Sequence, residues 1–301
     1  MRRFVVIAVL FVCAVGRANS GVNINAEAVK RAVVFIYLAG PNGGANESAA
    51  DATGFLVQVP TSDKPTKYYY VLITARHVFD PQWANCAQPD PDAVFLRINK
   101  LSFDSAHDAT GVDYLKLLLV GAGKPLFAVS SDSSDVAAIL LNPNVISPEK
   151  YQINMISISD FGTTDELKRL SVGDDLVTAG LMPMFTGSKR NYPIFKFGKI
   201  SDIPDETVPI SCDSHQPPRQ ANEWLIASNS FPGSSGSPIF FVPAGANGIT
   251  VGGGRSFLAG LQSIAYGNAD VAGMTPADEI FDTIQSMNLP NVDLYRGSPQ
   301  N

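Results

Sequence analysis

Histidine is the scarcest reactive side chain in this sequence, with 3 among 301 residues, beside 3 Cys and 2 Trp. There is no His-Glu-x-x-His pair and no Cys-x-x-Cys, so a zinc site has little to build with and no cofactor is expected. Three cysteines cannot staple a chain this long, which excludes a disulfide-scaffold miniprotein. Charged residues make up only 17%, while 45% are hydrophobic and no short period recurs. Disorder, collagen-like repeats and coiled coil are therefore excluded. The formal net charge of −6 offers no basic footprint for nucleic acid or anionic lipid. After the first twenty or so residues, no apolar run approaches the roughly 20 needed to span a bilayer.

The N-terminus does carry an apolar run. Met1-Arg2-Arg3 precedes Phe4 to Val15, then Gly16-Arg17-Ala18-Asn19-Ser20. A basic start, a short apolar stretch and small residues at Ala18 and Ser20 read as a signal peptide over 1–20. The expected location is secreted or periplasmic, with no membrane attachment after processing. Cleavage removes Arg2, Arg3 and Arg17 but no acid, so the net charge moves from −6 to −9. It also removes Cys13. Cys86 and Cys212 remain as a possible disulfide in an oxidising compartment, and their spacing leaves the pairing open.

What the chain has in plenty is short apolar runs punctuated by 25 Gly and 21 Pro. Strands are expected at Ala32–Tyr37, Thr53–Val59, Lys67–Thr74, Ala93–Leu101, Tyr114–Val120 and Val136–Leu141. A second series runs through Asp175–Ala179, Ile194–Ile200, Trp224–Ala227, Pro238–Val242 and Phe257–Ile264. No helical periodicity separates them, so the fold class is all-β, antiparallel sheets closed into a sandwich or barrel. The layout is a first β unit over 21–141, a linker over 142–153 and a second β unit over 154–272. A helix over 273–290 follows, with Thr275 as N-cap and Pro276 at its first position, then a tail over 291–301.

Two glycine clusters look like phosphate loops and are not. In Gly121-Ala122-Gly123-Lys124-Pro125, Leu118 stands where the first Gly of a Walker pattern belongs and Pro125 replaces its hydroxyl. Gly252-Gly253-Gly254 does not join a strand to a helix. Both read as hairpin turns.

The informative segment is Phe231-Pro232-Gly233-Ser234-Ser235-Gly236-Ser237-Pro238, set between two apolar runs. A serine flanked by glycines suits a nucleophile whose neighbouring N–H groups must converge on one cavity. Such a serine needs a histidine base oriented by a carboxylate. No histidine follows Ser235, and Ser237 occupies the last Gly of the Gly-x-Ser-x-Gly elbow, which excludes the α/β-hydrolase order. The order His, Asp, Ser remains. His77 ends the apolar run Val71-Leu72-Ile73-Thr74-Ala75-Arg76, and Asp135 opens Val136-Ala137-Ala138-Ile139-Leu140.

Thr74-Ala75-Arg76-His77, Asp135-Val136-Ala137-Ala138-Ile139-Leu140 and Gly233-Ser234-Ser235-Gly236-Ser237-Pro238 together resemble the three signature segments of chymotrypsin-like, trypsin-fold serine proteases. The likeness is greatest to bacterial trypsin-like peptidases related to the HtrA protease domain. Gly54-Phe55-Leu56-Val57, Val172-Gly173-Asp174-Asp175, Gly198-Lys199-Ile200-Ser201 and Gly260-Leu261-Gln262-Ser263-Ile264 agree more weakly, over roughly residues 25 to 290. The resemblance implies two six-stranded antiparallel β-barrels with a cleft between them. It also implies a serine endopeptidase acting on protein or peptide substrates, with Ser235 as nucleophile, His77 as base and Asp135 holding the imidazole. The N–H groups of Gly233 and Ser235 would form the oxyanion hole. The alternative carried by the same residues is a protease-fold binding module with little or no turnover.

Departures from the pattern are Arg76, where many members have Ala, and Ser237, where many have Gly. Pancreatic-type members place an Asp just before the nucleophile to pair with a freshly cleaved N-terminal amine. Ser234 stands here, so no such ion pair is expected. No PDZ-sized segment follows the second unit in this sequence. Asn229, with Ser263 and Ala265, falls where the resemblance implies the specificity pocket, and suggests a neutral one.

Overall fold

The computed structural model describes residues 25–294 apart from 65, 105, 109, 213–214, 229–230, 232, 244, 247–248, 251–254 and 267–269. The segment 1–20, expected as a signal peptide, and the last residues of the tail lie outside the described residues.

The chain opens with α1 (Ala26–Ala32), capped by the Asn25 side chain, which accepts from the Ala28 N–H at 3.0 Å. A first sheet follows, from β1 (Val33–Leu38), β2 (Ala52–Pro60), β3 (Tyr68–Thr74), β4 (Ala93–Asn99) and β5 (Val112–Leu118). The one-turn helix α2 (Arg76–Phe79) follows β3. After β5, β6 (Val120–Gly121) and β7 (Lys124–Pro125) form the hairpin expected around Gly123, with Ala122 and Gly123 both at positive φ. β8 (Ala137–Leu141) closes the order β5-β4-β1-β2-β3-β8, and β9 (Ile156–Ser157) adds to β2 in parallel.

The second unit contains α3 (Thr164–Leu167), β10 (Asp175–Gly180), β11 (Ile194–Asp202), β12 (Val208–Ile210), β13 (Arg219–Ala221) and β14 (Trp224–Ala227). It continues through β15 (Pro238–Phe241), β16 (Gly245–Ala246), β17 (Ile249–Thr250), β18 (Phe257–Ala265) and β19 (Val271–Pro276) to α4 (Ala277–Ser286). Six of these strands close a barrel in the order β10-β11-β14-β19-β18-β15. Register shifts at Ile200/Asp202, Ile239/Phe240 and Gln262/Ala265 give the strands the coil that closure needs.

The all-β architecture with a C-terminal helix is thus present, but of the two six-stranded barrels expected only the second is closed, and the first unit is a curled sheet. Among the described residues β5 and β8 do not pair with each other. β1 is buried on both faces, which explains why Val33-Val34-Phe35-Ile36-Tyr37 reads as a continuous apolar run rather than an alternating one. One apolar core lies around Phe35, Phe55 and Leu72 and extends to Phe240, Leu258 and Ile280 of the second unit, and another lies around Leu176, Ile226 and Met274.

Residues 142–153, expected as a linker, pack on the first unit: Ile146 and Tyr151 are buried, and the Gln152 N–H donates to the Asn99 carbonyl at 2.9 Å. Two boundaries differ from the sequence reading. Ile156–Ser157, expected in the second unit, belongs to the first sheet. α4 begins at Ala277 with Pro276 as its N-cap, because the β18–β19 ladder runs on to Gly260↔Pro276. Thr275 therefore stays in a strand instead of capping the helix. Long-range pairing overrides a good local cap signal.

Candidate active site

The register between β3 and β8 places two of the expected residues side by side. Thr74 pairs with Ala137, and two residues further the Arg76 N–H donates to the Asp135 carbonyl at 3.2 Å. Asp135 is fully buried, and its carboxylate binds His77 twice. Oδ1 accepts from the His77 backbone N–H at 3.0 Å, and Oδ2 lies 2.8 Å from Nδ1. A carboxylate can only accept here, so the proton sits on Nδ1 and Nε2 is left as the basic nitrogen. Among the described residues Nε2 makes no hydrogen bond. Burial by itself would lower the His77 pKa, but the Asp135 charge and hydrogen bond together raise it above the ordinary value.

Ser235 sits, half-buried, in a turn attached to the same end of the first sheet. Its carbonyl accepts from the Thr53 N–H at 2.9 Å, and the Thr53 hydroxyl donates to the Gly233 carbonyl at 2.8 Å. The Thr74 hydroxyl in turn donates to the Thr53 carbonyl at 2.7 Å. Gly233 and Gly236 have φ of +85° and +84°, where a side chain is strained. A Cβ at Gly236 would also collide with the Thr53 carbonyl oxygen and the Thr74 hydroxyl. The Gly236 N–H donates to the Gln262 carbonyl at 2.7 Å, tying the turn to β18. The N–H groups of Gly233 and Ser235 donate to no protein atom among the described residues. The Ser235 hydroxyl likewise has no hydrogen bond there, including to His77.

Arg76 turns away from the site. Its guanidinium pairs with Asp80 at 2.9 Å and lies over the Trp83 ring, 4.6 Å from the centroid. Ser237 is fully buried. Of the residues suggested for a specificity pocket, Asn229 lies outside the described residues and Ala265 is exposed. Ser263 faces the interior: it is fully buried and its hydroxyl donates to Glu223 Oε2 at 2.6 Å. Cys86 and Cys212 are joined as a disulfide, with Cα atoms 5.0 Å apart, linking a loop of the first unit to the segment after β12. His107 is elsewhere, exposed against Asp104 at 2.5 Å. A cavity of about 760 Å³, lined by Phe161, Glu166, Arg255 and Phe281, also lies away from these residues.

Two titratable side chains here were not singled out from the sequence. Glu223, buried beneath β18 and β19, accepts from Ser263 and, at 2.7 Å, from the Thr275 hydroxyl. Burial and then the nearby Asp135 charge hold its carboxyl well above the usual range, and the two hydroxyls oppose them. Lys196 on β11 is buried and donates to the Ser234 hydroxyl at 2.9 Å. The signal for Lys196 was its parity: it shares the inward face of the strand with Ile194 and Ile200. Glu223 precedes its strand, so no alternation marks it.

No family model and no curated protein matches the chain. Solved structures do resemble it. The MamO protease domain from Magnetospirillum magneticum, in its apo form, is 16% identical with a TM-score of 0.44, over 84% of this chain and 96% of that one. The active form of the Rv3671c protease from M. tuberculosis is 16% identical with a TM-score of 0.44, over 89% and 85%. An inactive form of the Rv3671c protease gives 16% and 0.43, over 87% and 91%. These are likenesses to protease domains; the fold rests on its own strand pairing and the chemistry on the atoms above.

Proposed function

We propose that the protein is a secreted serine endopeptidase in which His77, Asp135 and Ser235 form a catalytic triad. The observation that carries this reading is the double grip of Asp135 on His77, which fixes the tautomer with Nε2 free to act as base. In the proposed cycle His77 Nε2 takes the Ser235 hydroxyl proton as Oγ bonds to the scissile carbonyl carbon. The resulting oxyanion accepts from the Gly233 and Ser235 N–H groups, which have no competing protein partner among the described residues. His77 then returns the proton to the amine as the C–N bond breaks. Water repeats the sequence on the acyl-enzyme. Secretion is supported by the leader over 1–20 and by the Cys86–Cys212 disulfide.

The missing Ser235–His77 hydrogen bond is the observation on the side of a weakly active binding module. Such bonds are often long before substrate arrives, and one experiment separates the readings. The mature protein is treated with a fluorophosphonate probe and the labelled residue mapped, beside Ser235→Ala and a casein digest. The expected result is label on Ser235, abolished in Ser235→Ala, with casein cleaved. Absence of label under conditions that label trypsin would sink the enzyme reading.

A further inference from the structure

A buried lysine is costly unless its charge is matched, because burial strips its hydration. Lys196 is buried, and among the described residues no carboxylate pairs with it. Its ammonium donates to Ser234 Oγ at 2.9 Å and to Gln262 Oε1 at 3.4 Å, and lies 5.8 Å from the centre of the Phe231 ring. Those partners frame the serine turn. Ser234 accepts from the Ser237 N–H through its carbonyl and donates its own N–H to the Phe231 carbonyl, each at 3.0 Å. The backbone of Gln262 binds Gly236 at 2.7 Å and Ser237 at 2.8 Å. One cation therefore holds the turn from below at the residue before the nucleophile and at the strand behind it.

Resting on the endopeptidase reading above, we infer that Lys196 is a positioning residue whose ammonium sets the turn that aims the Gly233 and Ser235 N–H groups. The cation is supplied by β11 within the barrel, so the turn is set by folding rather than by a newly cleaved N-terminus. Burial pulls the ammonium down to about 8, which leaves it protonated at neutral pH and able to hold the contact. The Lys196–Ser234 pair is not itself a nucleophile and base, since Ser234 is fully buried and out of reach of substrate.

The test uses the disulfide-bonded mature protein, with p-nitrophenyl acetate turnover and the rate of fluorophosphonate labelling as readouts. Lys196→Met keeps the length and removes the charge. It is expected to lower kcat by about tenfold to a hundredfold, the scale of a misaimed catalytic group, with KM unchanged. Its Tm should change little, because relief of an unpaired buried cation offsets the donor lost to Ser234 Oγ and Gln262 Oε1. Ser234→Ala should lose a similar factor, and the double variant little more, since both act through one contact. Wild-type kcat in Lys196→Met overturns the inference; should that variant not fold, wild-type kcat in Ser234→Ala does so. A wild-type protein that neither labels at Ser235 nor turns over ester marks a different failure, that of the endopeptidase reading, and the inference falls with it.

Discussion

Thr53 holds Ser235 by its carbonyl, with the Thr53 N–H donating at 2.9 Å, and the Thr53 hydroxyl reaches the Gly233 carbonyl at 2.8 Å in the same turn. One residue of the first sheet thus fixes both sides of a turn that belongs to the second unit. Thr53→Val keeps the backbone bond and the strand propensity but leaves the Gly233 carbonyl without its donor. The expected cost is about 1–3 kcal/mol of stability for the orphaned acceptor, with a lower kcat. Thr53→Ser should behave as wild type in both respects. Urea unfolding beside ester turnover reads this, and an unaltered Thr53→Val would show that the hydroxyl does not set the turn.

The Asp135–His77 pair predicts a pH profile. In the proposed cycle the base is neutral His77, so the acid limb should lie above the ordinary histidine value of about 6.5, because the Asp135 interactions raise it against the effect of burial. In Asp135→Asn that limb should move down and kcat should drop by about 10⁴, since the tautomer is no longer held. The same shift has a stability consequence with the opposite trend. A histidine raised in the folded state stabilises fully below its unfolded pKa, and that contribution is lost as pH rises through the folded one. A profile whose acid limb is unchanged by Asp135→Asn would remove Asp135 from the proposed triad.

Glu223 makes a separate prediction about stability. Its folded pKa is raised well above the usual carboxyl value, first by burial and then by the Asp135 charge. Folded protein then holds a proton that unfolded protein has released, so stability declines as pH climbs from the unfolded pKa toward the folded one. The slope from this group is at most about 1.4 kcal/mol per pH unit. Glu223→Gln retains the shape and hydrogen bonding to Ser263 and Thr275 without the titration. Chemical denaturation from pH 4 upward should show a flatter curve for the variant, and identical curves would mean that Glu223 is not held neutral.

The disulfide closes a sequence separation of 126 residues between the two units. Around it Trp83, Ala84, Ile210 and Ala221 form a small apolar cluster of their own. Cys86→Ser with Cys212→Ser is expected to cost about 2–4 kcal/mol, from the freedom returned to the unfolded chain. A thermal melt with and without reductant should show the loss in wild type only. A wild-type Tm indifferent to reductant would mean that the bond is absent in solution.

Most of the strand plan was legible in the sequence, because short apolar runs bounded by Gly, Pro and Asp have few other uses. Trp224–Ala227 stands as read, and Asp175–Gly180 and Pro238–Phe241 differ by one residue. Val271–Pro276 was not legible as a strand. Its residues are small and mixed, and only pairing with β14 and β18 around the closed barrel makes it one. The parallel seat of Ile156–Ser157 on β2 escaped for the same reason: two residues carry no pattern of their own.

By itself the sequence determined the inventory and its order: one histidine at a strand end, one acid at a strand start, and a serine in a glycine-rich turn. Scarcity did this, since three histidines leave few arrangements to consider. Only the tertiary structure decided that Asp135 grips His77 at two atoms, that Thr53 ties down the turn of Ser235, and that Lys196 and Glu223 lie buried beside them. The physical reason is that each of those contacts joins residues far apart in the chain. Strand register and barrel closure set their distances, and neither is written in any local stretch of sequence.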